Sequence, residues 1–200
     1  MTAPATAPSG RAARRLATEL RITRCAQVLA EAHGLDGFTM EDLASSAAVS
    51  RRTLFNYFPG KLDAVLGPVP VLREETRATF LAGGPHGCLV DDLATLAHEL
   101  LDGRSDTLNR EDVARITTLL TTTPRLLTAV IERFDAFVGG FVDLIVEREQ
   151  GRVDAFHARL LVRLLVTVFE SAIAMLIDGD ERPVPELFDQ TLAAARELFT

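Results

Sequence analysis

The chain holds no tryptophan, one tyrosine and only two cysteines in 200 residues. Cys25 and Cys88 lie far apart, with no partner at metal or redox spacing, so neither a disulfide framework nor a zinc site is expected. A reducing cytosol is the default setting for such a chain. Cys25, among small apolar residues, reads as packing rather than as a nucleophile. The four histidines, His33, His86, His98 and His157, form no HExxH pair, no Gly-rich phosphate loop follows a strand, and there is no G-x-S-x-G elbow. The acid pairs Glu74-Glu75 and Asp91-Asp92 are adjacent in sequence, so on a helix they diverge rather than converge. Neither an enzyme nor a bound cofactor is expected. Long hydrophobic runs are missing as well. The most apolar stretch, 160–169, is interrupted by Arg163 and is too short to span a bilayer. The opening "MTAPATAPSG" lacks the apolar block of a secretory signal, and a cytoplasmic protein is the expectation.

Positive charge is also in short supply, with a formal net charge of −7. Its distribution matters more than its sum. Eight of the 21 Lys/Arg but only six of the 28 Asp/Glu fall within residues 1–66. A mildly basic head therefore precedes a strongly acidic body, an asymmetry suited to a protein that touches a polyanion with one end. With 48% hydrophobic and 24% charged residues, the chain has globular composition.

What is present is helical periodicity nearly throughout, without strand-type alternation. Glycine, proline and small polar residues break it into about nine helices, which predicts an all-α fold. Residues 1–12 read as a disordered arm, 13–66 as a head of three short-spaced helices, and 67–200 as a bundle body. In the head, Thr39 precedes "MEDLASSA" with Asp42 three residues on, a capping-box arrangement. Ser50 can cap "RRTLFNYF". Only residues 48–50 separate these two helices, which makes a helix-turn-helix unit. Before it runs a helix over about 14–33, with Ile22, Cys25, Ala26, Leu29 and Ala30 as its apolar stripe.

On a helical wheel through 51–58, Leu54, Phe55 and Phe58 fall on one face, expected to turn inward. Arg52, Thr53, Asn56 and Tyr57 fall on the other, and Arg51 lies nearer the inner face but can splay off the helix end. Arg can bind guanine O6/N7, Asn can bind adenine, and a Thr methyl can meet a thymine methyl. Tyr57 and Lys61, near the far end, can hold phosphate oxygens.

The run from Ile22 to Lys61, with Ala26, Leu29, Gly34, Thr39, Leu43-Ala44 and "AAVSRRTLFNYFPGK", resembles the DNA-binding domain of the TetR (tetracycline-repressor) family of bacterial transcription regulators. The resemblance covers about forty contiguous residues. It implies that Arg51, Arg52, Thr53 and Asn56 face bases in the major groove and that Thr39, Tyr57 and Lys61 grip phosphates. It further implies an all-helical body that dimerises, often binds a small ligand, and pairs through its last two helices. Two positions depart from the usual pattern. Ala48 stands where Gly is common in the turn, and Phe55 where Tyr is frequent. Arg11, Arg14 and Arg15 read first as a solubilising tail, with entry into a minor groove as the other reading.

In the body, residues 155–177 are apolar on more than one face, and Leu187, Phe188, Leu192, Ala195 and Phe199 recur at helical spacing, as a dimer interface would require. A twofold dimer would read a near-palindromic operator. Candidate ligand contacts are the polar residues amid apolar runs, His98, Arg115 and Thr118, then Arg163, Thr167 and Glu170. Phe134, Phe137 and Phe141 can supply apolar walls, although each of these residues alone also reads as core or surface. Gly139-Gly140 is expected to mark a kink or a close helix approach. The reading as a whole is a repressor released by a small molecule. The alternative is a helical homodimer that binds a small molecule or protein without DNA.

Overall fold

A computed structural model describes residues 10–101 and 109–198. Among the described residues there are ten α-helices and no strand. They are α1 (Gly10–His33), α2 (Met40–Ser46), α3 (Arg51–Tyr57), α4 (Lys61–Leu66), α5 (Glu74–Leu81), α6 (Leu89–Leu101), α7 (Arg110–Thr122), α8 (Pro124–Glu149), α9 (Ala155–Ile177) and α10 (Val184–Leu198). Of the arm expected over 1–12, residues 1–9 lie outside the described residues and 10–12 open α1. Most of the break expected near 102–109, and Phe199, also lie outside them.

The chain divides into two compact units. One runs to Val69 and includes Arg115–Leu127; the other comprises Pro70–Ala114 and the chain from Thr128 on. In the first unit, the head, Ile22, Ala26 and Ala30 recur every four residues on α1, so one stripe of the helix points at a single apolar cluster. Leu43, Ala44, Leu54, Ala64 and Val65 fill that cluster from α2, α3 and α4, with Phe58 from the residue that follows α3. Leu119 and Leu126 belong to it too, although they come from α7 and the first turn of α8. Buried Gln27 donates from Nε2 to the Val65 carbonyl at 3.0 Å, which ties α1 to α4.

The body is built on α8, one uninterrupted helix. The close approach expected at Gly139-Gly140 is not made, because a Cβ added at either glycine meets nothing within 4 Å, and the helix runs on through both. Phe80, Leu93, Leu96, Val138, Ile145 and Val162 form one apolar cluster. Ala172, Leu176, Val184, Leu187 and Phe188 form another, where α9 and α10 pack. Between α6 and α8 lies a buried ion pair. Arg148 Nη2 donates to Asp92 Oδ2, and the two side chains are 2% and 0% exposed. The backbone N–H of His86 donates to Asp92 Oδ1 at 2.6 Å, and the guanidinium lies 4.5 Å from the Phe80 ring centroid. Glu99 of α6 supplies the cap that α5 lacks from its own sequence. It accepts from the backbone N–H of Arg73 at 2.6 Å, from Arg73 Nη2 at 2.9 Å, and from the Thr76 hydroxyl.

The apolar stretch read from sequence as too short for a bilayer is part of a longer element. Helix α9 has 23 residues and is, by length and composition alone, apolar enough to cross a membrane. Ala158, Val162, Val168, Ala172 and Leu176 nevertheless bury one of its faces within the chain.

Candidate nucleic-acid interface

The turn between α2 and α3 is set by local chemistry. Ala47 caps α2, Ala48 takes the left-handed conformation with φ 49°, and two bonds close the motif. The Ala48 N–H donates to Ser45 O at 3.1 Å and the Val49 N–H to Ala44 O at 3.0 Å. This is the Schellman pattern, in which a residue at positive φ satisfies the last helical carbonyls. Glycine would sit there without strain, so Ala48 carries the cost of its Cβ. Two basic side chains bind carbonyls on either side of α2. Arg21 Nη1 donates to Ala47 O, and Lys61 Nζ donates to Phe38 O at 2.8 Å.

Helix α3 begins at Ser50, whose Oγ accepts from the Thr53 N–H at 3.0 Å and shares a hydrogen bond with the Thr53 hydroxyl at 2.7 Å. Arg52 and Asn56 are exposed, four residues apart on one face, with no hydrogen bond or ion pair among the described residues. Arg51 is exposed but occupied. Its Nη1 lies 2.7 Å from Glu41 Oε1, and its guanidinium carbon 5.6 Å from the Phe55 ring centroid. Thr39 is occupied as well. Its backbone N–H and its hydroxyl both donate to Asp42 Oδ2, at 2.8 and 2.7 Å, completing the capping box. Those Thr39 bonds hold the Asp42 carboxyl below its ordinary range. Lys61 uses one ammonium proton on Phe38 O and keeps two, and its Nζ sits 5.1 Å from the Phe38 ring centroid.

The aromatic assignments on α3 require a correction. Phe55, expected to face inward, is 43% exposed, whereas Tyr57, expected to point out, is half-buried against the head cluster. The reason is Pro59. A residue before proline is pushed out of helical geometry, and Phe58 has φ −135° and ψ 123°. Its ring, 3% exposed, therefore reaches the core from an extended residue rather than from the helical face shared with Phe55. The buried face of α3 is centred on Leu54 and Tyr57, three residues apart.

The candidate ligand contacts are scattered. Only Phe137 and Phe141, rings 4.9 Å apart, line the body groove of about 400 Å³, together with Val71, Leu72, Arg77 and Leu144 among others. Phe134 packs on the neighbouring apolar cluster. His98 Nε2 lies 2.7 Å from Asp189 Oδ1, with its ring edge-on to Phe188. Arg115 and Thr118 belong to the head unit, where Arg115 Nε donates to Glu31 at 3.1 Å and the Thr118 carbonyl accepts from the Thr121 and Thr122 hydroxyls. Arg163, Thr167 and Glu170 are exposed on α9, with Arg163 3.6 Å from Asp135. Val71, Leu72 and Arg77, which also line this groove, carry no periodic signal because they straddle a helix start.

Short helices that enclose one core and leave a capped second helix half-exposed define a helix-turn-helix DNA-binding head. Residues 22–65 match the model of the bacterial regulatory proteins of the tetR family, so the head is of the TetR type and the chain is a DNA-binding transcriptional regulator. Among solved structures, a Mesorhizobium loti protein assigned to the TetR-family transcriptional regulators shares the fold. The TM-score is 0.51 at 17% identity, covering 92% of this chain and 96% of that one. No curated protein sequence matches the chain significantly.

Proposed function

We propose that the chain is a cytoplasmic homodimeric repressor, without catalytic activity of its own, that reads a near-palindromic operator and leaves it when a small molecule binds the body. In this reading residues 13–66 bind DNA and 67–200 bind ligand and dimerise. The observation that carries it is α3, a helix capped at Ser50 and anchored by Leu54, which leaves Arg52 and Asn56 exposed and unengaged. These are the side chains that pair two-point with guanine and adenine in the major groove. Arg51 joins them once it exchanges Glu41 for a base, and Thr53 contributes its methyl. The exposed Phe55 ring adds an apolar contact for a thymine methyl. Tyr57 and Lys61 hold phosphates. Thr39 joins them only if its donors leave Asp42; of the backbone N–H groups opening α2, that of Asp42 is spent on Thr39 Oγ1, which leaves those of Met40 and Glu41 for a phosphate.

The outer face of α9 supports the dimer. Phe156, Leu160, Leu164 and Ile177 are 72, 49, 44 and 38% exposed there. Counted outward from mid-helix, this face is self-complementary. In an antiparallel crossing of two copies centred between Val166 and Thr167, Arg163 falls opposite Glu170 of the second copy and Phe156 opposite Ile177, with Leu160 within one residue of Ala174. Such a surface satisfies its own copy, as a twofold interface must. A charge exchange tests it. Arg163→Glu and Glu170→Arg should each shift the sedimentation equilibrium toward monomer, and the double variant should restore the dimer. A double variant no better than the singles removes this crossing.

For the ligand, the groove walled by Phe137 and Phe141 is the site favoured. A ligand shifts the repressor only by its differential affinity for the two states. A salt-titrated mobility shift against genomic fragments tests the whole reading. Saturable, salt-sensitive binding at a near-palindrome is expected. Failure at every fragment would leave the DNA-silent helical dimer.

A further inference from the structure

The described part of α1 opens with Gly10, and its first turns put Arg11, Arg14 and Arg15 at i, i+3 and i+4, which is one face of a helix. Two contacts fix where that face lies. Arg15 Nε donates to Glu19 at 3.0 Å, and its guanidinium carbon is 5.3 Å from the centroid of Tyr57. Tyr57 is the last residue of α3. The basic face of α1 is therefore held beside the C-terminal end of the reading helix, in the same compact unit. It is part of a folded helix rather than a solubilising tail.

The three arginines are not equivalent. Arg15 is engaged by Glu19 and Tyr57. Arg11 and Arg14 are exposed, and neither guanidinium has an ion pair or hydrogen bond among the described residues. Two unneutralised cations beside a helix that reads bases, in a chain of net charge −7, are placed for a polyanion. We propose that Arg11 and Arg14 each hold a backbone phosphate flanking the major-groove segment read by α3. The inference rests on α3 being the reading helix. A guanidinium binds phosphate through two parallel N–H donors, and such contacts fix register without carrying sequence information. They add affinity and salt dependence while leaving base preference to α3.

The test uses the full chain and the DNA fragment that it selects from a random library, with affinity measured by anisotropy across a salt series. Neutralising one phosphate contributes about 0.9 to the slope of log K against log salt. Arg11→Ala/Arg14→Ala should therefore lower the slope by about 1.8 per half-site, about 3.6 for a dimer on its operator, with the base preference of the half-site unchanged. Arg11→Lys/Arg14→Lys should keep the wild-type slope, because an ammonium neutralises a phosphate as well. Both side chains are solvent-exposed, so helicity and melting temperature should match wild type and exclude misfolding as the cause. A slope unchanged by the alanine pair overturns the proposal, as does a changed base preference at constant slope. If the wild-type chain binds no fragment at all, it is the reading of α3 that fails. Wild-type binding with an unaltered variant slope sinks only the role of α1.

Discussion

Replacing Arg148 with methionine removes one half of an ion pair sealed inside the body. The side chains of Arg148 and Asp92 are 2% and 0% exposed, so neither charge has water to fall back on. With the guanidinium gone, Asp92 retains one protein donor, the His86 N–H at 2.6 Å. The Gly83 carbonyl, 3.2 Å from Arg148 Nη2, and the Phe80 ring lose their cationic neighbour. Breaking a buried pair from one side costs about 3–5 kcal/mol, chiefly through the uncompensated charge left behind. For a chain of this size, each kcal/mol moves the melting temperature by roughly 2–4 °C, so Arg148→Met should melt some 6–20 °C below wild type. Asp92→Asn should be damaging too, but less so, because Glu149 Oε1 stays 3.4 Å from Arg148 Nε. The double variant Asp92→Asn/Arg148→Met should recover at least about 2 kcal/mol relative to either single, because no buried charge remains unpaired. Circular dichroism at 222 nm during heating and in urea measures all four forms of the cycle. If Arg148→Met costs under about 1 kcal/mol, or the double is no better than the singles, charge pairing is not what holds α6 to α8.

Three further outcomes follow from features of the head and body. Ala48→Gly relieves about 1–2 kcal/mol of left-handed strain and gives back about 0.4–1 kcal/mol in unfolded-chain entropy, so it should stabilise the head by roughly 0.5–1 kcal/mol. With no tryptophan and a single tyrosine in the chain, Tyr57 emission in urea follows that unit. Glu99 is pushed up by partial burial, but its bonds from Arg73 and Thr76 outweigh this and hold it below its ordinary 4.5. Its stabilisation is therefore complete above pH 4.5 and lost as pH falls through the lower folded value. Glu99→Gln should flatten the acid limb of the melting-temperature profile, and a profile parallel to wild type would clear Glu99 of that role. Arg52→Ala should cost about 1–3 kcal/mol of affinity per half-site and relax one base position in each. Uniform weakening across all sequences would reassign Arg52 to phosphate.

Features written within a few residues of themselves were legible in the sequence. The caps at Thr39 and Ser50 and the two-helix turn need no distant partner, and the apolar stripe of α1 needs only its own period. Phe55 was misread for a local reason too, because the wheel was carried one residue past the point where Pro59 ends it. Gly139-Gly140 looked like a packing device, and only the neighbouring atoms, or their absence, could show otherwise. Asp92 and Arg148 find each other across α6 and α8, and nothing in either neighbourhood announces the pairing. The candidate ligand contacts do not gather at one groove, because a polar residue in an apolar run has the same signature on an outer helix face as in a pocket wall. Arg163, Thr167 and Glu170 belong to the former.

Leu119 and Leu126 complete the apolar cluster of the head. A ribosome making this chain produces the reading helix early, yet the core beneath it stays incomplete until residue 126 has left the exit tunnel. At roughly 5–20 residues per second, that gap lasts several seconds. A message broken shortly after codon 69 would yield a head with an uncovered apolar flank instead of a working operator-binding fragment.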